Sequence, residues 1–96
     1  MKHYVYIITN KPKGVLYIGE TKRLKIRIYQ HRTKVHPTTF SARYNLDKLV
    51  YFEVHPTEAA AKLREKHMKK WNRVWKIELI EKINPQWKDL YEEIKV

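Results

Sequence analysis

Two apolar stretches that contain tyrosine, near the start of the chain and joined by a short turn, restrict its fold more than any other feature. The first covers residues 3–9 and the second residues 15–19, and Pro12 and Gly14 lie between them. Stretches rich in tyrosine, valine and isoleucine that flank such a turn are typical of a β-hairpin. The sequence therefore predicts an antiparallel sheet that begins with this hairpin.

Side chains alternate between the two faces of a strand, so the predicted hairpin has an aliphatic face and a face that carries phenols. The aliphatic face is formed by Val5, Ile7, Leu16 and Ile18. The opposite face has Tyr4, Tyr6 and Tyr17. Gly19 ends the second strand, where the missing side chain would allow another element or a ligand to come close.

A helix is predicted over residues 21–34, with Thr21 as its N-cap. The spacing i, i+3, i+4, i+7 of an inward face is met by Leu24, Arg27, Ile28 and His31. A charged group on a packing face loses hydration unless a partner or a ligand compensates it. Either Arg27 and His31 face a ligand together with the tyrosines, or Arg27 extends past the edge of the helix and His31 is a hydrogen-bonded core residue.

The remaining residues predict a loop over 35–47 with one short helical turn, a third strand over 49–54 and helices over 57–71 and 74–83. The tail, residues 86–96, is expected to pack back on the body. The resulting order β-β-α-β-α-α indicates an α+β fold. A chain of this length forms one compact domain, residues 1–96, with a core of about residues 3–91.

The helix over 57–71 is expected to bury a stripe that consists of Ala60, Leu63, His67 and Trp71. Glu65 then lies outside the buried stripe, where it could pair with Lys62 or Lys69 at helical spacing. Asn84, directly before Pro85, could be a helix terminator.

Cysteine is absent, which excludes disulfides, thiolate zinc sites and cysteine nucleophiles, so any metal must bind to oxygen or imidazole. No apolar run approaches the roughly 18 residues of a membrane span, and the N-terminus lacks the layout of a secretory signal. A cytoplasmic location is therefore expected.

The net charge of +11 would attract polyanions, so nucleic acid is the expected partner. No membrane partner is expected. Basic charge alone would also suit a protein that is merely well solvated. The residues predicted to bind nucleic acid are Lys22, Arg23, Arg43, Lys66, Lys69, Lys70 and Arg73. Phe40 and Tyr44, beside Arg43, could stack on unpaired bases or could pack the loop onto the body.

Hydrolysis of a phosphodiester needs an activated water and groups that take up charge on the phosphoryl and leaving oxygens. Glu65, the single acid among seven cations over residues 62–76, is a hard ligand of the kind that Mg²⁺ accepts. Arg27 can fork onto two phosphate oxygens. Tyr6 or Tyr17 could relay a proton, provided that nearby positive charge lowers the phenol pKa from its ordinary value of about 10.

Five segments, taken in order, resemble the signature of the GIY-YIG nuclease family: residues 4–6 (YVY), 16–21 (LYIGET), 24–31 (LKIRIYQH), 64–66 (REK) and 84–90 (NPQWKDL). Tyr6 corresponds to the tyrosine of GIY, and residues 17–19 correspond to YIG. The first element has Tyr-Val-Tyr in place of Gly-Ile-Tyr, which keeps the final tyrosine. The resemblance covers nearly the whole chain. It is closest to the short branch in which the nuclease module forms the entire protein, similar to the N-terminal domain of the excision-repair nuclease.

This resemblance implies a three-stranded antiparallel sheet flanked by helices, with a shallow site on the sheet. Tyr6 and Tyr17 would position or deprotonate water, and Arg27 would bind the scissile phosphate. His31 would hydrogen-bond a tyrosine and tune it.

The resemblance further implies that Glu65 is the sole protein ligand of one divalent ion, Mg²⁺ or Mn²⁺, and that Asn84 supports the site. The implied activity is that of a metal-dependent endonuclease acting on DNA, structure-selective, in repair or recombination. Two alternatives stay open: a non-catalytic nucleic-acid-binding module on the same fold, and a basic subunit of a larger repair machinery.

Overall fold

A three-stranded antiparallel sheet forms the centre of the computed structural model, which describes residues 2–34 and 40–94. The strands are β1 (His3–Thr9), β2 (Leu16–Thr21) and β3 (Lys48–His55). Their order in the sheet is β2-β1-β3, so the predicted hairpin supplies the central strand and one edge. The predicted α+β fold with this sheet is confirmed.

The helices are α1 (Leu24–Thr33), α2 (Phe40–Arg43), α3 (Glu58–Lys70) and α4 (Arg73–Ile83), and a 3₁₀ turn covers Tyr91–Glu93. The short α2 is the helical turn predicted within the middle loop, of which residues 35–39 lie outside the described part of the chain. The predicted order of the longer elements, β-β-α-β-α-α, is therefore also correct. Within the described ranges, no helix is long and apolar enough to span a membrane.

The two faces of the sheet are covered by different helices, and the hairpin side chains divide between them as the alternation predicts. On one face Val5, Ile7 and Ile18 pack against residues of α3 and α4. On the other face Tyr6 and Tyr17 pack with residues of α1. The aliphatic face is thus used for one core, and the phenols are turned toward α1.

The predicted N-cap of α1 is wrong. Thr21 is the last residue of β2 because it pairs with Tyr4 across the sheet. Its side-chain oxygen accepts a hydrogen bond from the Arg23 amide at 3.0 Å, so it orders the link before the helix. The helix begins at Leu24, and no side chain caps it.

The predicted buried stripe of α3 is also wrong. Ala61 and Met68 are fully buried, whereas Leu63 is 55% exposed. Glu65 lies between the two buried residues in sequence and its side chain is only 22% exposed. The helix is turned by about a third of a revolution from the predicted orientation, and Glu65 therefore belongs to its partly buried side.

A partly buried carboxylate on β3 contributes to this orientation. Glu53 accepts hydrogen bonds from the Tyr51 hydroxyl at 2.5 Å and from Arg64 Nε at 2.9 Å, and His55 Nε2 lies 2.5 Å from it. Burial alone would raise the pKa of Glu53, but the hydrogen bonds from Tyr51, Arg64 and His55 lower it below its ordinary value. Arg64 also lies 5.0 Å from the centre of the Trp71 ring. Arg64 directly precedes Glu65 on α3. These contacts therefore hold that part of the helix on the sheet and set the position of Glu65.

Candidate active site

A phenol, a second phenol and an imidazole from three different elements meet on the α1 side of the sheet. The Tyr6 hydroxyl on β1 lies 3.0 Å from His31 Nε2 on α1, within a hydrogen bond. The Tyr17 ring on β2 is centred 6.5 Å from the Tyr6 ring and 5.8 Å from the His31 ring. The hydrogen bond from a tyrosine to His31 that the resemblance implies is therefore present.

Gly19 makes this arrangement sterically feasible. It pairs with Tyr6 across the hairpin, and a Cβ built on it would lie 2.4 Å from both Cζ and the hydroxyl oxygen of Tyr6. Real side chains do not approach so closely, so the phenol can lie across β2 only above a glycine. The close approach predicted at Gly19 is made by the Tyr6 ring. The space above Gly19 allows the phenol to point toward the edge of the sheet.

Arg27 lies one turn before His31 on α1 and is exposed. Its positive charge acts on Tyr6 and favours the ionised phenol, which lowers the Tyr6 pKa. Of the two interpretations left open by the spacing, the exposure of Arg27 agrees with a side chain that extends past the edge of the helix, and its facing a ligand stays a prediction.

Burial raises the pKa of Tyr6 well above its ordinary value, and a charge on Tyr17 would raise it further, whereas Arg27 lowers it. Desolvation is the larger effect, so the expected lowering by nearby positive charge is present but outweighed, and the net pKa of Tyr6 is raised. At neutral pH Tyr6 is an uncharged phenol that can exchange a proton with His31.

Alkaline pH should therefore destabilise the protein through Tyr6. The unfolded phenol ionises near pH 10, about its ordinary pKa, while the folded phenol keeps its proton. The contribution of Tyr6 to the free energy of unfolding is complete below that pH and falls as the pH rises above it. We expect wild type to lose stability above pH ~10 more steeply than Tyr6→Phe, as measured by urea unfolding at several pH values. A tyrosinate absorbance in the folded wild type at that pH, absent from the variant, would contradict this.

Glu65 approaches the phenols from α3. Its Oε2 lies 3.2 Å from Lys69 Nζ, and Lys69 Nζ in turn lies 5.8 Å from the centre of the Tyr17 ring. The charge of Glu65 also acts on Tyr6. The carboxylate thus belongs to the same cluster as the phenols, although α3 packs on the other face of the sheet.

The donor set of this cluster suits a weakly held hard cation. Within residues 2–34 and 40–94, no group of three or more histidine, aspartate or glutamate side chains could hold a metal ion. Glu65 offers one carboxylate, whose charge acts on Tyr6. Mg²⁺ accepts one or two carboxylates and takes its other ligands from water and substrate phosphates. The residues present fit such an ion, and they do not form a metal cage.

Asn84 lies elsewhere. It is buried, and its side-chain amide donates to the carbonyl oxygens of Val50 at 3.0 Å and Lys88 at 2.9 Å, while its oxygen accepts from the Lys88 amide at 3.0 Å. None of these hydrogen bonds reaches the phenols. Asn84 ties the end of α4 to β3 and to the following turn, which is a structural role.

The basic residues assigned to nucleic-acid binding are distributed over several surfaces. Lys22, Arg23, Arg43, Lys66, Lys69, Lys70 and Arg73 are all exposed. Arg73 donates to the carbonyl oxygens of Lys13 at 2.5 Å and Gly14 at 2.6 Å and so holds the hairpin turn. In the middle loop Tyr44 is 48% exposed, and the side chain of Phe40 lies outside the described residues.

Lys76 lies near the site without having been predicted there from the sequence. With Lys69 it lines a groove of about 300 Å³ beside Tyr17, whose other walls are Leu16 and Ile18. Its position in the basic run was visible, but nothing in the sequence indicated that α4 would bring it to the edge of β2.

The sequence matches a known protein family over most of its length. Residues 2–78 match the sequence profile of the GIY-YIG catalytic domain. The chain belongs to the GIY-YIG family. Tyr6, Tyr17, Arg27 and Glu65 all lie within the matched part, whereas Asn84 lies beyond it.

Relatives within the GIY-YIG family include UPF0213 proteins. One from Clostridium perfringens is 38% identical over 82 residues, which cover 81% of this chain and 82% of the relative. Another, from Staphylococcus saprophyticus, is 35% identical over 79 residues, which cover 82% of this chain and 94% of the relative. The solution NMR structure of a UPF0213 protein from Bacillus halodurans superimposes with a TM-score of 0.57 at 23% identity and covers 100% of both chains. That structure shares the fold.

Proposed function

We propose that this protein is a metal-dependent endonuclease that hydrolyses phosphodiester bonds of DNA. Membership of the GIY-YIG family supports an endonuclease-type function with a nucleic-acid substrate. One observation carries the finer proposal: the hydrogen-bonded pair Tyr6 and His31, with Tyr17, Arg27 and the carboxylate of Glu65, is gathered at one edge of the sheet.

Tyr6 and His31 would move the proton of the attacking water. A raised pKa makes a free phenolate on Tyr6 costly. The phenol instead passes its proton to His31 Nε2, 3.0 Å away, as it accepts one from the water. This relay requires the His31 tautomer in which Nε2 is unprotonated. Tyr17 would hold the water in position beside Tyr6.

Arg27 would bind the scissile phosphate. Its side chain is exposed, so it can reach a phosphate on the surface, and its fork can donate two parallel hydrogen bonds. Because the charge of Arg27 acts on Tyr6, a phosphate bound there would lie near the relay.

Glu65 would hold one Mg²⁺ or Mn²⁺ ion, whose other ligands would be water and substrate oxygens. When bound, the ion would neutralise charge on the phosphoryl and leaving oxygens. In the protein alone Lys69 forms an ion pair with Glu65 at 3.2 Å, and this pair must open for the carboxylate to bind a cation.

The proposed substrate is DNA with a particular structure, and RNA is the second candidate. The proposed process is repair or recombination, and the proposed location is the cytoplasm. The net charge of +11 supports binding through phosphates, which positions a protein without reading sequence. A larger repair machinery would then select the site of action.

A non-catalytic binding module is the second candidate. Two observations favour it: Lys69 already neutralises Glu65, and Tyr6 strongly resists ionisation. Such a module would keep the basic surface and bind DNA without cleaving it.

Cleavage of supercoiled, branched, flapped and single-stranded DNA and RNA in Mg²⁺, Mn²⁺ or EDTA tests the proposal. We expect cleavage of at least one DNA form that requires a divalent ion, and binding in EDTA that weakens steeply with salt. Salt-sensitive binding without cleavage under any condition would overturn the endonuclease and favour the binding module.

A further inference from the structure

A basic cleft lies beside the first turn of α1, at one side of the candidate site. It has a volume of about 590 Å³ and is bounded by the tyrosine face of β1, the start of α1 and the tail near Ile94. We propose that this cleft binds one unpaired nucleotide of the DNA strand, next to the phosphate at Arg27. This inference rests on the proposed function and names the feature of the substrate that the protein selects.

The charges around the cleft favour an anion. Its lining includes four cations and no acidic residue: Lys2, Lys22, Arg23 and Lys25. Within the described ranges none of these four forms an ion pair with a carboxylate. Other cations of the chain, such as Lys62 and Lys69, do form such pairs. Lys25 Nζ lies 5.3 Å from the centre of the Tyr91 ring, and Lys22 acts on the charge of Glu58 without an ion pair. The cleft therefore concentrates positive charge that these ion pairs do not neutralise, which attracts a phosphate chain.

The interior of the cleft is apolar and roomy. Leu24 and Ile94 are buried at its floor, and Ile26 stands at its rim with 52% of its surface exposed. A site for phosphate alone would need no such floor. The volume lies within the roughly 300–1,000 Å³ typical of small-molecule sites. A flat base on the apolar floor, with its phosphates at the basic rim, satisfies both features.

The cleft is continuous with the candidate site along two elements. Arg23 at the cleft and Arg27 at the site are separated by about one helical turn, ~5.4 Å along the axis. Tyr4 in the cleft and Tyr6 in the site lie on the same face of β1 and are two residues apart, about 7 Å. These separations are comparable to the length of one nucleotide. A strand whose phosphate contacts Arg27 can thus place its neighbouring nucleotide in the cleft.

Only an unpaired base can enter the cleft, because a base within a duplex is stacked and paired, and extruding it costs several kcal/mol. The protein should therefore prefer DNA that has a single-stranded arm next to the scissile phosphate over a blunt duplex. Flaps and branched junctions with unpaired arms fulfil this condition.

The test compares binding of a DNA hairpin with a single-stranded arm and of the same hairpin with a blunt end, by fluorescence anisotropy in EDTA. Wild type should prefer the armed hairpin about tenfold, and an abasic first arm nucleotide should remove most of this preference. The double variant Lys22→Gln, Arg23→Gln should lower the ratio of the affinities for the armed and the blunt hairpin to near one. It should also reduce the slope of log K against log salt by ~1.4, the value for two phosphate contacts on a single strand. Ile26→Ala should lower the preference and leave the slope unchanged.

The matched control is Lys11→Gln with Lys82→Gln, which removes the same charge from exposed positions outside the cleft. It should keep the preference for the armed hairpin. An equal loss of preference in the control, or a preference that survives in the cleft variants, would overturn the cleft as a nucleotide site. If wild type cleaves DNA but binds both hairpins equally, only the cleft is refuted. If wild type binds neither, the proposed function fails as well.

Discussion

Replacing Glu65 by glutamine is expected to lower the rate of metal-dependent DNA cleavage by about a thousandfold or more while DNA binding is kept or strengthened. A bound divalent ion contributes several kcal/mol to the stabilisation of the transition state, and each ~1.4 kcal/mol corresponds to a factor of ten in rate. Glutamine has nearly the same shape but is a poor ligand for Mg²⁺. It also removes a negative charge beside Lys69, which favours the approach of DNA.

Glu58→Gln is the matched control, because Glu58 lies on the same helix and also forms an ion pair with the lysine one turn later, Lys62, at 2.8 Å. This control should cleave DNA at the wild-type rate. Single-turnover cleavage and anisotropy binding would be measured on the same substrate for both variants. Cleavage by Glu65→Gln within tenfold of wild type would refute Glu65 as the metal ligand.

Replacing Gly19 by alanine is expected to reduce cleavage about a hundredfold and to lower the free energy of unfolding by about 1–3 kcal/mol. The added methyl group would lie 2.4 Å from the Tyr6 ring and hydroxyl. Both residues are buried, so the ring can yield only by moving away from β2. That movement would break the hydrogen bond to His31 and separate Tyr6 from Arg27.

A double-mutant cycle separates this effect from a general loss of structure. If Gly19→Ala acts by displacing the Tyr6 hydroxyl, it should lower cleavage far less in a Tyr6→Phe background than in wild type. The His31 ring signals in NMR spectra should shift in the same direction in Gly19→Ala and in Tyr6→Phe. Equal losses of cleavage in both backgrounds would show that Gly19 acts on something other than Tyr6.

Much of the hairpin could be predicted from the sequence because it depends on local rules. A period of two sorts side chains between the faces of any strand, so the phenols of Tyr6 and Tyr17 had to lie on the same face. The spacing of Arg27 and His31 likewise put them on the side of α1 that carries Leu24 and Ile28. These elements are adjacent in sequence, which leaves few ways to arrange them.

The orientation of α3 could not be predicted in this way. Its sequence contains two apolar stripes, and periodicity alone does not say which one is buried. The choice depends on Glu53, a residue of another element, which binds Arg64 and turns Ala61 and Met68 toward the sheet. The pKa of Tyr6 was mispredicted for a similar reason, because burial is a property of the packed molecule and outweighs the visible charges.

The sequence by itself thus determined the class of fold, the family and the chemical groups available, since these follow from local periodicity and from residue order. The tertiary structure alone decided how those groups meet. Glu65 takes its partly buried position because Arg64, one residue before it, pairs with a carboxylate on β3. The Tyr6 ring lies across β2 because Gly19 leaves space there, and Asn84 stays apart because its amide is used by backbone carbonyls. Each of these outcomes depends on contacts between residues distant in sequence. Such contacts outweigh the local preferences, which are all that a sequence pattern records.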